Sequence, residues 1–199
     1  MIIAEGRKHT DSKLIGIFKT LASTALLLTA LSIACGSSDG GRAGAGIADI
    51  SQVEANTRIL DRDVTLSGDD LLSLGLKSGK KYDVTDLPGA VANRVFFWRV
   101  NDIPIQYEAR FYESHASATE LGPEPAEEGS GEGAILDADD AVYKEGVRDR
   151  RTVFDFRGTP RPRYGTYAIY ANMVVLCEGR DDAEAWDRCT ALIEALDNR

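Results

Sequence analysis

The sequence predicts an α+β domain. It should hold a mostly antiparallel sheet of about four strands in a ββα-ββα order, with helices on one face. Three observations carry this. Ile105–Tyr112 alternates apolar and polar residues, as a half-buried strand does. Tyr164–Cys177 (YGTYAIYANMVVLC) is rich in β-branched and aromatic residues. The C-terminal stretch sets Ala185, Trp186, Cys189, Leu192, Ile193 and Leu196 on one helical stripe.

Residues 47–63 mix apolar and charged residues with weak helical spacing and read as a short helix or irregular segment. Ser67, followed by Asp69 and Asp70 and closed by Gly75, marks a helix of about two turns with Ser67 as its cap. Gly79-Lys80-Lys81 is turn-like. Val95–Val100 (VFFWRV) is a strand, which Asn101-Asp102-Ile103-Pro104 interrupts before Ile105–Tyr112 completes a hairpin. On the second strand Ile105, Tyr107, Ala109 and Phe111 face one way, and Gln106, Glu108 and Arg110 the other. Ser114 caps a helix over HASATEL, which Gly122-Pro123 breaks and EPAEEG resumes. Residues 129–134 are loop, and Asp137 opens a short helix through Val147. Arg151–Arg157 is a third strand, and the GTPRPR that follows is loop, because proline cannot donate to a ladder. Tyr164–Cys177 is the central strand, with Ile169, Ala171, Met173, Val175 and Cys177 on one face. Asp181 starts the last helix, with Glu184 at capping-box spacing.

Ahead of the domain, Arg7, Lys8, Lys13 and Lys19 precede an apolar run, Leu21–Ala34. Its fourteen residues fall short of the ~20 that a bilayer-crossing helix needs, so the run reads as a cleaved secretory signal. Its end, Leu31-Ser32-Ile33-Ala34-Cys35-Gly36, resembles the lipobox of bacterial lipoproteins. The pattern departs from the commonest form in having Ser32 three residues before the cysteine, with Leu31 one further back. The resemblance implies cleavage before Cys35, lipidation of its sulfur and acylation of the new terminus, palmitate being the expected type of chain. It implies a cell-membrane location on the extracytoplasmic face. The resulting organisation is a signal peptide over 1–34, a lipidated cysteine with a Gly/Ser linker over 35–48, and one domain over 49–199.

Cys177 and Cys189, twelve residues apart, then remain. In an oxidising compartment two leftover cysteines pair, and a Cys177–Cys189 bridge would join helix to sheet. The spacing is not that of a zinc site, and no histidine lies near.

The chain carries a formal net charge of −9, and removing the leader's four bases and two acids makes the remainder two charges more negative. Such a surface repels nucleic acid, and no basic stripe is present. His115 is the one histidine after the leader, and no G-x-S-x-G elbow accompanies it, so no catalytic residue is assigned. An EF-hand from Asp137 fails, because its sixth and twelfth positions hold Val142 and Arg148. No metal or cofactor is expected. VFFWRV has apolar residues on both faces, so a binding surface is expected at Trp98, Arg99, Tyr107 and Tyr112. The composite expectation is a non-enzymatic domain that binds a protein or small molecule and meets the membrane through its anchor. The alternatives are a cell-envelope hydrolase and a purely structural envelope lipoprotein.

Overall fold

A computed structural model describes residues 58–199. The signal, Cys35, the linker and most of the segment 47–63 lie outside the described residues. Of that last segment, Ile59–Leu60 is a strand, β1, and not helix.

The chain continues through α1 (Gly68–Ser73), β2 (Lys77–Tyr82), β3 (Ala90–Val100) and β4 (Ile103–Tyr112). Next come α2 (His115–Leu121), α3 (Pro123–Gly129) and α4 (Val147–Arg150). It ends with β5 (Thr152–Phe154), β6 (Pro160–Pro162), β7 (Tyr164–Tyr170), β8 (Met173–Glu178) and α5 (Asp182–Asp197). Among the described residues six strands form one sheet in the order β1-β7-β8-β4-β3-β2, and β5 and β6 form a separate pair. Among the described strands of this sheet, only the pair β1 and β7 is parallel.

Local chemistry sets several element ends. Ser67 accepts from Asp69 N while Asp70 reaches back to Ser67 N at 2.6 Å, a complete capping box for α1. Asp181 accepts from Glu184 N at 2.9 Å, but the Glu184 carboxylate returns to Arg180 N at 2.8 Å, one residue before the cap. The two-residue turn between β3 and β4 holds Asn101 and Asp102 at φ 49° and 64°, the left-handed pair that matches strand twist.

The α+β class holds, but the sheet has six strands where about four are expected, and helices cover both of its faces. On one side Tyr107, Ala109 and Phe111 of β4 and Met173, Val175 and Cys177 of β8 pack under Ala185, Cys189, Leu192, Ile193 and Leu196 of α5. On the other, Tyr112, Ile169, Val174 and Leu176 pack against Ala118 of α2 and Ala126 of α3. The reason is legible in β8 itself. Its MVVLC run is apolar on both faces, as befits a strand covered twice.

Four further expectations change. Tyr164–Cys177 is a hairpin and not one strand, turning at Ala171-Asn172 with Ala171 at φ 52°. The turn reverses the alternation, so Ile169 joins the α2/α3 side while Ala171, Met173, Val175 and Cys177 join the α5 side. Lys77–Tyr82 is an edge strand with Lys77, Lys80 and Lys81 exposed, and not a turn. Arg151–Arg157 contributes only Thr152–Phe154, paired with Pro160–Pro162 outside the main sheet. Helix between Asp137 and Val147 is replaced by turns, and helix begins only at Val147. An Asx turn, Asp139 N to Asp137 Oδ1 at 3.0 Å, competes there with helical pairing.

The cysteine expectation holds. Cys177 of β8 and Cys189 of α5 are disulfide-bonded, with Cα atoms 5.6 Å apart.

Candidate functional site

The four residues of the expected binding surface do not converge. Tyr107 is buried under α5 and Tyr112 is buried on the opposite face of the same strand. Trp98 packs partly against the α5-side core. Arg99 is exposed at the hairpin tip, bonded to the carbonyl of Asp102 at 3.2 Å. The alternation of β4 is as read, and that alternation is what separates Tyr107 from Tyr112. Burial pushes the Tyr107 hydroxyl up to about 12.

His115 lines an open cleft with Asp61, Glu113 and Ser114. Its Nδ1 stands 2.7 Å from the carbonyl of Ala171. A carbonyl only accepts, so Nδ1 carries a proton and donates to it. Nε2 has Thr119 Oγ1 at 3.4 Å and Asp61 Oδ1 at 4.0 Å. Ser114 Oγ is engaged instead in capping α2, accepting from Ser117 N at 3.1 Å. Among the described residues the hydroxyl nearest Nε2 is that of Thr119, while Ser114 is turned to the helix cap.

A groove runs along the start of β7. One part, about 470 Å³, is lined by Ile59, Pro123 and Tyr167 together with Arg58, Glu127 and Asp182. A neighbouring part of about 340 Å³ shares Gly131, Gly165 and Asp182 and reaches Arg161 and Arg180. Arg58 is fixed across the wall: its Nη1 donates to Thr166 Oγ1 at 2.6 Å and its Nη2 to Asp182 at 2.8 Å. Its guanidinium also stacks over Trp186, 5.5 Å from the ring centre. Tyr167 donates to Glu127 at 3.2 Å. Burial and the Glu127 charge push the Tyr167 hydroxyl up to about 12. The groove thus combines an apolar floor with fixed groups of both signs.

Beneath the α2/α3 face lies a buried ionic centre that sequence reasoning missed. The side chains of Glu108, Arg110, Arg150 and Arg151 are all 0% exposed. Arg150 Nη1 contacts both Glu108 oxygens, at 2.7 and 2.8 Å, and Arg110 Nε donates to the same carboxylate at 2.8 Å. Asn93 adds a bond to Glu108 at 3.1 Å. Arg151 Nη1 donates to the Glu128 carboxylate at 2.9 Å and to the Glu128 carbonyl at 3.0 Å. Tyr143 lies under Arg150, 4.3 Å from guanidinium carbon to ring centre. Burial pulls the Glu108 carboxyl up, but Arg110 and Arg150 outweigh it and hold the group at about 2. The signal for this centre was present but scattered. Gln106, Glu108 and Arg110 read as the polar side of a half-buried strand, and only folding brings the distant Arg150-Arg151 pair over them.

Among the described residues no cluster of three or more His, Cys, Asp or Glu side chains is placed to hold a metal ion. No described helix is long and apolar enough to cross a membrane.

Residues 67–198, about two thirds of the chain, match a family of unknown function, DUF6810. The chain belongs to this family. No curated protein and no solved structure matches the chain. The matched stretch of this DUF6810 member contains the whole ionic centre, the disulfide and His115, whereas Cys35 and Arg58 lie outside it.

Proposed function

We propose that this DUF6810 member is a lipid-anchored protein on the extracytoplasmic face of the cell membrane, whose α+β domain binds a ligand or partner without catalysing a reaction. The compartment is supported by the lipobox-like sequence at Cys35 and by the Cys177–Cys189 disulfide, a bond that persists in oxidising compartments. The binding reading is carried by the groove at the start of β7. Ile59, Pro123 and Tyr167 offer apolar contact, and Arg58, Glu127 and Asp182 offer charge of both signs. Such a lining suits a short peptide segment, which carries apolar side chains, amides and charge together. This site is proposed in place of the hairpin surface, where Tyr107 and Tyr112 are buried on opposite faces of β4.

Two measurements test the reading. Mass spectrometry of the protein from its native envelope should find the N-terminus at a lipidated Cys35; an unmodified cysteine would sink the anchor. Thermal-shift screening against peptide pools should give a saturable rise that Tyr167→Ala removes. A rise untouched by that substitution would move binding elsewhere, and no rise with any peptide would reject the peptide class.

A further inference from the structure

The β5–β6 hairpin shows large apolar groups to solvent. Phe154 is exposed and Phe156 is 91% exposed, with Asp155 between them. Residues 154–163 (FDFRGTPRPR) hold three arginines against one aspartate, in a chain of net charge −9. Guanidinium groups accompany both rings. Arg157 lies 5.1 Å from the centre of the Phe156 ring, and Arg148 lies 6.0 Å from that of Phe154. An ordered turn holds the rings out. Asp155 Oδ1 accepts from Arg157 N and Thr159 N, each at 2.8 Å. The backbone closes the turn from Asp155 N to Thr159 O at 3.0 Å, and Gly158 supplies the left-handed residue, φ 81°. The aspartate is thus spent on the backbone, while the rings and Arg157 face solvent. Two large rings displayed together from a fixed turn mark a contact surface.

The hairpin's place in the fold says what it meets. β6 runs into β7 through Arg163, and Tyr164 at the start of β7 pairs with Glu178 at the end of β8. The Glu178 carboxylate accepts from Gln106 N, near the start of β4, at 2.6 Å. The β3–β4 turn therefore stands at this same end of the sheet. It too shows apolar and basic groups, Val100 and Ile103 beside the exposed Arg99. β1 is parallel to β7, with Ile59 opposite Ile169 and Leu60 opposite Tyr170. It thus points back through Arg58 toward the end where β7 starts, the direction in which Cys35 lies along the chain.

We propose that this end of the domain, led by Phe156, lies against a membrane surface that bears anionic headgroups. That a membrane is at hand rests on the anchor proposed at Cys35. The two rings enter the interfacial layer, where aromatic side chains settle. Arg157, Arg161 and Arg99 stay at headgroup level and pair with phosphate. The acidic chain as a whole is repelled by such a surface, and the arginine excess of the hairpin selects the end that approaches. A tether limits only how far the domain strays. This contact sets which end faces the bilayer.

The probe is the purified full chain carrying Phe156→Trp, mixed with vesicles whose acyl chains are brominated to quench indole. One set is phosphatidylcholine alone, and the other is equimolar phosphatidylcholine and phosphatidylglycerol. The chain without the substitution supplies the signal of Trp98 and Trp186 for subtraction. With phosphatidylglycerol present, the introduced indole should shift to the blue and its emission should fall about twofold or more. Adding Arg157→Ser and Arg161→Ser should cut the quenching severalfold, and so should high salt. Phe156 and Arg157 are exposed, so the fold tolerates their replacement. An indole that stays in water with both vesicles would overturn the assignment and leave the hairpin to a protein partner. Equal quenching without phosphatidylglycerol would overturn it too, because the arginines would then contribute nothing. The anchor is judged separately. An unmodified Cys35 with a quenched indole removes the anchor and keeps this face, and a lipidated Cys35 with an unquenched indole does the reverse.

Discussion

Arg150 places a single guanidinium nitrogen within 2.7 and 2.8 Å of both oxygens of Glu108, across 42 residues of sequence and in full burial. This pair fastens the last part of the irregular 130–151 segment to the middle strands of the sheet. It is also asymmetric in its consequences. Burying the ions costs solvation, while losing one partner strands the other.

Glu108→Gln should therefore destabilise the protein by about 3–5 kcal/mol, because Arg110 and Arg150 keep their charge without the carboxylate. The same group sets an acid limit. Its folded pKa, about 2, lies below its ordinary value of 4.5. Its stabilisation is thus complete above about pH 4.5 and is lost as pH falls toward 2. Urea unfolding between pH 7 and pH 2 should show this loss in the native sequence and much less of it in Glu108→Gln.

The disulfide closes a short loop between β8 and α5, with a sequence separation of 12. Replacing both Cys177 and Cys189 by Ala should lower stability by about 3 kcal/mol. Equilibrium unfolding checks this, and a double variant as stable as the native protein would show that the bridge contributes nothing.

Asn172 is the buried hinge of the β7–β8 turn. It accepts from Leu66 N at 2.6 Å and donates to the carbonyls of Leu66 and Tyr112 at 3.1 and 2.8 Å. Asn172→Ala leaves three backbone groups without this partner, and each unsatisfied buried group costs about 1–3 kcal/mol. The loss should be visible locally as faster hydrogen exchange at the Leu66 amide, ahead of global unfolding.

Asp102 sits at φ 64°, with its side chain 97% exposed. Its contact with Arg99 is long and solvated, 3.9 Å, and such pairs contribute little. Asp102→Gly gives the turn the Asn-Gly pair that its left-handed backbone favours and should raise stability by about 0.5–1 kcal/mol. A lower melting temperature would mean that the Asp102 side chain matters more than its backbone does.

The local features were legible in the sequence. The caps at Ser67, Ser114 and Asp181, the hairpin over Val95–Tyr112 and the stripe of α5 rest on neighbours a few residues apart or on one face of one element, and the Cys177–Cys189 pairing follows from their being the two cysteines left over. What failed depended on distant partners. Ala171 turns the chain without the glycine that usually announces such a turn, because Asn172 is tied down by Leu66 and Tyr112 from elsewhere in the fold. β2 carries three lysines and has no apolar face of its own, and pairing with β3 alone makes it a strand. The ionic centre was hidden for the same reason. Glu108 and Arg110 look like solvent-facing residues until Arg150 and Arg151 arrive to cover them. The candidate groove depends equally on β1, a two-residue strand that exists only through its parallel contact with β7.

That lysine-bearing edge also governs how copies of the protein meet. No described strand pairs with the outer border of β2, and unpaired strand borders invite a second chain to add itself as another strand. Lys77, Lys80 and Lys81 put repelling charge on any copy that approaches in that register, and the irregular pairing between Ser78 and Lys81 bends the border out of line. Dense arrays of the protein should thus remain free of sheet-to-sheet zippering at this edge, and the resistance should fade as salt rises and screens the lysines.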